Sequence, residues 1–372
     1  MNKTNLFEQF LILSDPRQKT KIAHNFFDIL FLTLCSILCG SKGWKEIEAF
    51  GECNLEWLRN FREFENGVPS HDTIARTVSM VDPDEFSVCF AQWMKESIEH
   101  VDGRIKTIAI DGKSLRGTYD KERKSCLVHM VSAFAVEYGV VLGQVKTEEK
   151  SNEITAIPEL LKLLDVKDAI VTIDAMGCQV KIAQQIVDQK GDYLLAVKGN
   201  QGRLNEAFNQ HFNVVTLSKY DGPSYSTEEK AHGRTEKRMY FTCEPFDEFV
   251  DLAMEWPELK TLGIAVSHRM EGDDKAGEVS IRYYISSAEL DAESFAHSAR
   301  GHWGIESMHW SLDVSMREDE CQILLGNGGQ NFARFRHIAL NLLKKNKGKD
   351  SVNLAQMKSL MNDEYREKLI FG

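Results

Sequence analysis

The run IAIDGKSLRG (108–117) is apolar up to an acid, Asp111, and then turns on Gly112. IVTIDAMGCQ (170–179) repeats the plan with Asp174. Short unbroken apolar runs of this kind read as strands buried on both faces, and the residue that closes each one stands where the chain leaves the sheet. DYLLAVKG (192–199) is a third such run and ends at Lys198. TAIPELLKLLD (155–165) and CQVKIAQQIVDQ (178–189) separate these strands and read as helices, the first with Thr155 as a cap and Pro158 in its first turn. Ahead of them, LVHMVSAFAV (127–136) and GVVLGQVKT (139–147) are β-rich and joined by a hairpin at Glu137–Tyr138. The order β-β-β-α-β-α-β-α predicts an α/β fold: a mixed sheet, antiparallel at its start and parallel at its end, covered by helices.

Outward from this core the texture changes. Residues 1–100 read as a helical domain, with apolar positions at helical spacing through Phe26, Leu30, Leu34 and Ile37. Ser70 or Asp72 would cap a helix entering at Thr73. Residues 213–290 hold the strand-like runs RMYFTCE, TLGIAVSHRM and VSIRYYISS and read as a β-rich insertion. The chain is helical again to about 345, and 346–372 reads as a C-terminal tail. The expected division is therefore 1–100, a catalytic-type α/β domain over 101–345 with its insertion, and the tail.

A chain of 372 residues with 42% hydrophobic and 27% charged content has ample material for a core, which excludes a largely disordered protein. The net charge of −11 argues against a surface that is basic throughout, and leaves room for a local basic groove. The eight Cys include no CxxC pair, so neither a zinc knuckle nor a disulfide framework is indicated and a reducing, cytoplasmic setting is expected. The greasiest segment, FFDILFLTLCSILC (26–39), contains Asp28 and is too short to span a bilayer; a buried helix is expected there, and no membrane partner.

Two carboxylates at the exits of adjacent parallel strands would share one rim of the sheet, where α/β proteins place their sites. So placed, they repel unless they share a proton or bind a cation. Each Asp alone fits a turn or helix cap equally well. DGKS is not a phosphate-binding loop, because the residues before Gly112 form a strand and not a glycine loop. In HWGIESMHWSLDV (302–314), Glu306, His309, Trp310 and Asp313 fall on one helical face, giving a third acid. HExxH is absent, as is GxSxG.

Taken with WKEIEAFGE, ENGVPSHDTIAR, EEKSNEITAIPELL, GDYLLAVKGNQGRL, KAHGR, RYYISSAEL and RHIALNLL, these segments resemble the H-repeat-associated proteins, a family of bacterial insertion-sequence transposases of the DDE superfamily. The resemblance runs from about residue 10 to 345. It implies an RNase H-like catalytic core that cuts and joins DNA strands with divalent metal. Its three acids fall on Asp111, Asp174 and Glu306. Related cut-and-paste groups carry Tyr, Arg, Glu and Lys around the third acid; here those places hold Ala299, His302, Glu306 and Asp313, so only the Glu is kept, and Arg300 is the candidate replacement for the guanidinium.

Carboxylate oxygens favour Mg²⁺ or Mn²⁺, and two such ions activate the attacking oxygen and stabilise the leaving one. Asp111 would bridge both, with Asp174 on one and Glu306 on the other. The expected partner is double-stranded DNA, both the terminal inverted repeats of an element and its target, held by a homodimer at the nucleoid. Candidate DNA contacts are Lys198, Arg234 of the His-Gly-Arg segment, Arg300, His302, Trp303 as a base-stacking or core residue, and Arg334, Arg336 and Lys344 in a basic tract that holds no acid from 321 to 349. A catalytically inert relic that still binds DNA, or a stand-alone RNase H-like nuclease, are the other readings.

Overall fold

The acid-closed runs lie side by side in the computed structural model, which describes residues 6–99, 106–120, 125–126, 128–147, 153–231, 234–271 and 277–372. Strand β1 (Thr107–Ser114) is followed by a small pair, β2 (Tyr119–Asp120) and β3 (Ser125–Cys126), and then by β4 (His129–Ala135) and β5 (Val140–Thr147). Next come β6 (Ile170–Ile173) and β7 (Asp192–Val197), and finally β8 (Ser224–Ala231), β9 (Arg234–Cys243), β10 (Thr261–Glu271) and β11 (Glu278–Ser286). Nine of these form one sheet in the order β5-β4-β1-β6-β7-β11-β10-β9-β8. The pairs β1–β4 and β4–β5 are antiparallel, while β1–β6 and β6–β7 are parallel. This is the expected mixed sheet, with an RNase H-like core. The β4–β5 turn closes on Gly139 at φ +66°, a conformation that costs glycine nothing.

The crossover helices Glu153–Lys162 and Val180–Asp188 supply the cover that β6 and β7 need for their apolar faces. The first of these starts two residues before Thr155, so Pro158 lies inside it and not in its first turn.

The β-rich stretch 213–290 joins the core sheet. β11 pairs antiparallel with β7, from Tyr283↔Val197 to Ser286↔Leu194, so β8–β11 prolong the core sheet. Pairing satisfies the backbone groups that β7 would otherwise expose as an edge. Helix Ala292–Gly301 then covers the extension; the Phe295 ring packs so close to Gly263 that a Cβ there would come within 2.6 Å of it.

Ser70 caps helix His71–Met80, accepting from the Thr73 amide, and helix Phe26–Leu38 is buried as expected. The basic tract departs from expectation. Helix Gly328–Asn346 is the axis of the helical layer, buried from Gly328 to Leu343. Asn331 donates to the Val78 and Val81 carbonyls at 2.9 and 3.0 Å, and Trp44 and Phe332 meet edge to face. Residues 346–372, the expected C-terminal tail, are largely helical. They form helices Val352–Met361 and Asp363–Phe371, the second docked where the Arg366 guanidinium lies 4.4 Å from the Trp57 ring and 5.2 Å from that of Phe50. Among the described residues no helix is long and apolar enough to cross a membrane.

Candidate active site

The register of β1 on β6 ends at Ile110↔Ile173, so the next residues on the two strands are Asp111 and Asp174. Neighbouring strands run about 4.8 Å apart, which brings these two carboxylates onto one rim. β1 outruns β6: Asp111–Ser114 pair with β4 alone, and burial falls from complete over Thr107–Ile110 to partial over Asp111–Ser114. The sheet therefore opens where the acids stand. Asp174 accepts from the Met176 and Gly177 amides at 3.0 and 3.3 Å through Oδ1, which fixes the turn out of β6. That turn needs Gly177, because a Cβ would meet Ile173 Cγ2 at 2.3 Å.

Glu306 lies exposed in the first turn of helix Trp303–Val314, which packs against β1. Gly301 and Gly304 allow the helix corner to lie on the β4–β5 hairpin: Cβ atoms there would come within 2.9 Å of Val136 and 3.0 Å of Phe134. His302 Nδ1 lies 3.0 Å from Thr172 Oγ1 and ties the same corner to β6. One turn beyond Glu306, His309 Nδ1 approaches Asp111 Oδ2 at 3.6 Å. Burial drives the His309 pKa down to about 3, aided by Lys113 and His337, so the ring is neutral and does not balance the acid.

Burial raises the Asp111 pKa to about 7, and Asp174, Glu153 and Glu306 push it the same way against a hydrogen bond from the Gly112 amide. Asp174 and Glu306 therefore lie near enough to Asp111 for their charges to act on it. The three acids are not drawn into a cage: among the described residues no three of His, Cys, Asp and Glu stand close enough to enclose an ion. The donor set fits a hard divalent cation nonetheless. All three supply hard carboxylate oxygens, and among the described residues none of the three acids is paired with Lys or Arg.

The sequence did not reveal the surroundings of this centre. Lys113 is held by Asp313, by Glu318 at 3.1 Å and by Asp319 at 3.4 Å. Asp313 thus pairs with a lysine that β1 supplies. Glu153, His129 and Ser114 form a buried hydrogen-bonded chain behind Gly112. Nothing local in the sequence marks either group, because each partner comes from a different element.

The proposed DNA contacts divide. Lys198 is exposed beyond β7, and Arg234 and Arg300 are exposed too, whereas His232 and Gly233 lie outside the described residues. Trp303 is half-buried with Arg282 4.8 Å and Arg300 5.8 Å from its ring centre, so guanidinium groups already take up its faces. His302 serves as a scaffold through Thr172, and burial holds its pKa below the ordinary value. Arg334 and Arg336 are each 1% exposed and cannot reach DNA. Arg334 donates to Asn331 Oδ1 at 3.1 Å and Ser87 Oγ at 2.6 Å, and Arg336 lies over Phe332 at 4.4 Å. Their aliphatic stems and rigid guanidinium groups suit a helix–helix interior, which a linear charge count does not register. Lys344 is half-buried with its amine over Phe134 at 5.4 Å. The sequence missed a cleft on the face of β9–β11, lined by Arg238, Arg269, Arg282, Arg300 and Trp303 together with Glu236 and Glu278. It adjoins a second hollow, lined by Arg300, Trp303, Glu306 and Trp310.

The family model described as "Transposase DDE domain" matches residues 102–342, and one described as "DDE_Tnp_1-associated" matches 7–94. The chain is 50% identical to "Putative transposase YncI" of Escherichia coli O157:H7, across 100% of this chain and 95% of that one. It is 47% identical to "H repeat-associated putative transposase YhhI" of Escherichia coli K12, across 100% of this chain and 99% of the other. It is also similar to a chain in a piggyBac transposase synaptic complex with hairpin DNA, with a TM-score of 0.43 and 14% identity over 99% of this chain and 77% of that one. The chain belongs to the DDE transposase family of insertion sequences, among its H-repeat-associated members.

Proposed function

We propose that the protein cleaves DNA strands at the ends of an insertion sequence and joins them to a target, with Asp111, Asp174 and Glu306 holding two Mg²⁺ or Mn²⁺ ions. The observation that carries this reading is the register Ile110↔Ile173, which brings two carboxylates, neither paired with Lys or Arg among the described residues, to the open end of the sheet. Divalent ions held there would lower the pKa of the attacking water or 3′-hydroxyl and stabilise the leaving oxygen. The chain's own part is orientation. β1 and β6 fix two acids on rigid strands, the helix corner at Gly301 and Gly304 presents the third, and the partly buried floor strengthens charge interactions at the centre.

Double-stranded DNA is the proposed partner. Arg282 and Arg300 sit on the rim that runs from the β9–β11 face to Glu306, and supply the positive charge that phosphates need. The two ends of an element must be held together, so a homodimer is the proposed assembly.

The test is metal-dependent nicking of DNA that carries the ends of its own element. Wild type should cut with Mg²⁺ or Mn²⁺. Asp111→Asn, Asp174→Asn and Glu306→Gln should each abolish cutting while DNA binding and folding persist. A wild type that binds the ends and cuts nothing would favour the inert DNA-binding relic.

A further inference from the structure

Glu153 opens the helix that follows β5 and is 6% exposed. Its Oε1 lies 2.7 Å from His129 Nε2, and His129 Nδ1 lies 2.7 Å from Ser114 Oγ. With the serine hydroxyl donating to Nδ1, the ring proton sits on Nε2 and is donated to Glu153. His129 and Ser114 are register partners on β4 and β1, so two strands fix the ring. The carboxylate itself rests against the backbone of β1. A Cβ built on Gly112 would come within 2.3 Å of Glu153 Oε1 and 2.8 Å of His129 Nε2. Side chains alternate along a strand, so Glu153 meets β1 on the face opposite the Asp111 side chain, one residue further along.

The transposase reading leaves this group without a task. A carboxylate buried this far from solvent is costly to maintain. Among the described residues Glu153 forms no ion pair with Lys or Arg, and the lysine of the same strand, Lys113, is occupied by Asp313, Glu318 and Asp319. Asp111, Asp174, Glu306 and Glu153 together carry four carboxylates, a number that two divalent cations balance.

We propose that Glu153 is a positioning residue of the metal centre: its charge, clamped against Gly112 by His129, raises the affinity of Asp111 and Asp174 for divalent cations from across the strand. The inference rests on the reading of those two aspartates as the ion-holding pair. Attraction between a carboxylate and a divalent ion acts through the partly buried end of β1 without direct ligation. Partners one shell removed from an ion commonly change its affinity by about 10–100-fold.

The experiment is calorimetric titration of Mn²⁺ into the full-length, metal-free protein without DNA. Glu153→Gln keeps an oxygen to accept from His129 and removes the charge. It should weaken Mn²⁺ binding about 10–100-fold while leaving the urea midpoint in EDTA unchanged or higher. Glu153→Asp keeps the charge and should recover most of the affinity. Wild-type affinity in Glu153→Gln, alongside loss of binding in Asp111→Asn, would overturn the inference and leave the Glu153–His129 pair as support for β1. No Mn²⁺ binding by the wild type, or unaltered binding by Asp111→Asn, would instead overturn the reading of the metal centre itself. Should Glu153→Gln not fold, Gly112→Ala displaces the carboxylate; wild-type affinity in that variant overturns the inference equally.

Discussion

Lys113 Nζ lies 3.1 Å from Glu318 Oε2, and this contact ties the strand that carries Asp111 to the segment that follows the helix of Glu306. The Glu318 side chain is 1% exposed, and Asp313 and Asp319 share the same amine. Removing the lysine strands a buried carboxylate. Lys113→Ala should lower the unfolding free energy by about 3–5 kcal/mol, read from urea denaturation at pH 7.

The same contact has a pH signature. Burial opposes ionisation of Glu318, but Lys113 leads the neighbouring basic groups in holding its pKa below the ordinary value. A depressed acid stabilises the fold above its unfolded pKa, near 4.3, and that stability drains as pH falls through the folded value. Unfolding free energy should therefore drop below about pH 4.3 in the wild type, and the drop should be shallower in Glu318→Gln.

Asp111 has the opposite sign. Its folded pKa is raised to about 7, chiefly by burial, so its ionisation works against folding as pH rises from the unfolded value toward 7. Without metal, Asp111→Asn should match wild-type stability near pH 4 and exceed it above pH 7 by about 2–4 kcal/mol. Urea curves in EDTA at the two pH values check this; an equal difference at both would show that the carboxyl does not titrate in this range.

Arg334 should behave as a core residue. Arg334→Ala removes charged hydrogen bonds to Ser87 and Asn331 and the cover over Phe86, 5.3 Å from its guanidinium. A loss of about 2–4 kcal/mol in urea is expected, with no change in the salt dependence of DNA binding.

The rim arginines should show the reverse pattern. Arg282→Ala and Arg300→Ala remove exposed side chains, so stability should move by less than about 0.5 kcal/mol beyond the lost contact with Trp303. Each should reduce the slope of log affinity against log salt by up to about one unit, measured by fluorescence anisotropy on duplex DNA.

Much of the core is legible in the sequence. Apolar runs as short as those that end in Asp111 and Asp174 read as strands buried on both faces, and the helices between the later strands call for parallel crossovers, so the mixed sheet follows from run length, periodicity and chain order. The cap at Ser70 and the buried helix Phe26–Leu38 are equally local, since each depends on residues within a few positions of one another. Long-range pairing is not encoded that way. Whether Arg334 and Arg336 met phosphate or packed among helices depended on which face of Gly328–Asn346 found the N-terminal layer. Whether β8–β11 made a separate layer or lengthened the sheet depended on the open edge of β7. Lys113 with Glu318, and Glu153 with His129, are partners drawn from elements far apart in the chain, chosen by burial and charge once the strands had set their register. Residue type and period settle which elements form, because those preferences act over one or two turns. Which charge meets which is settled only when folding removes water from between them.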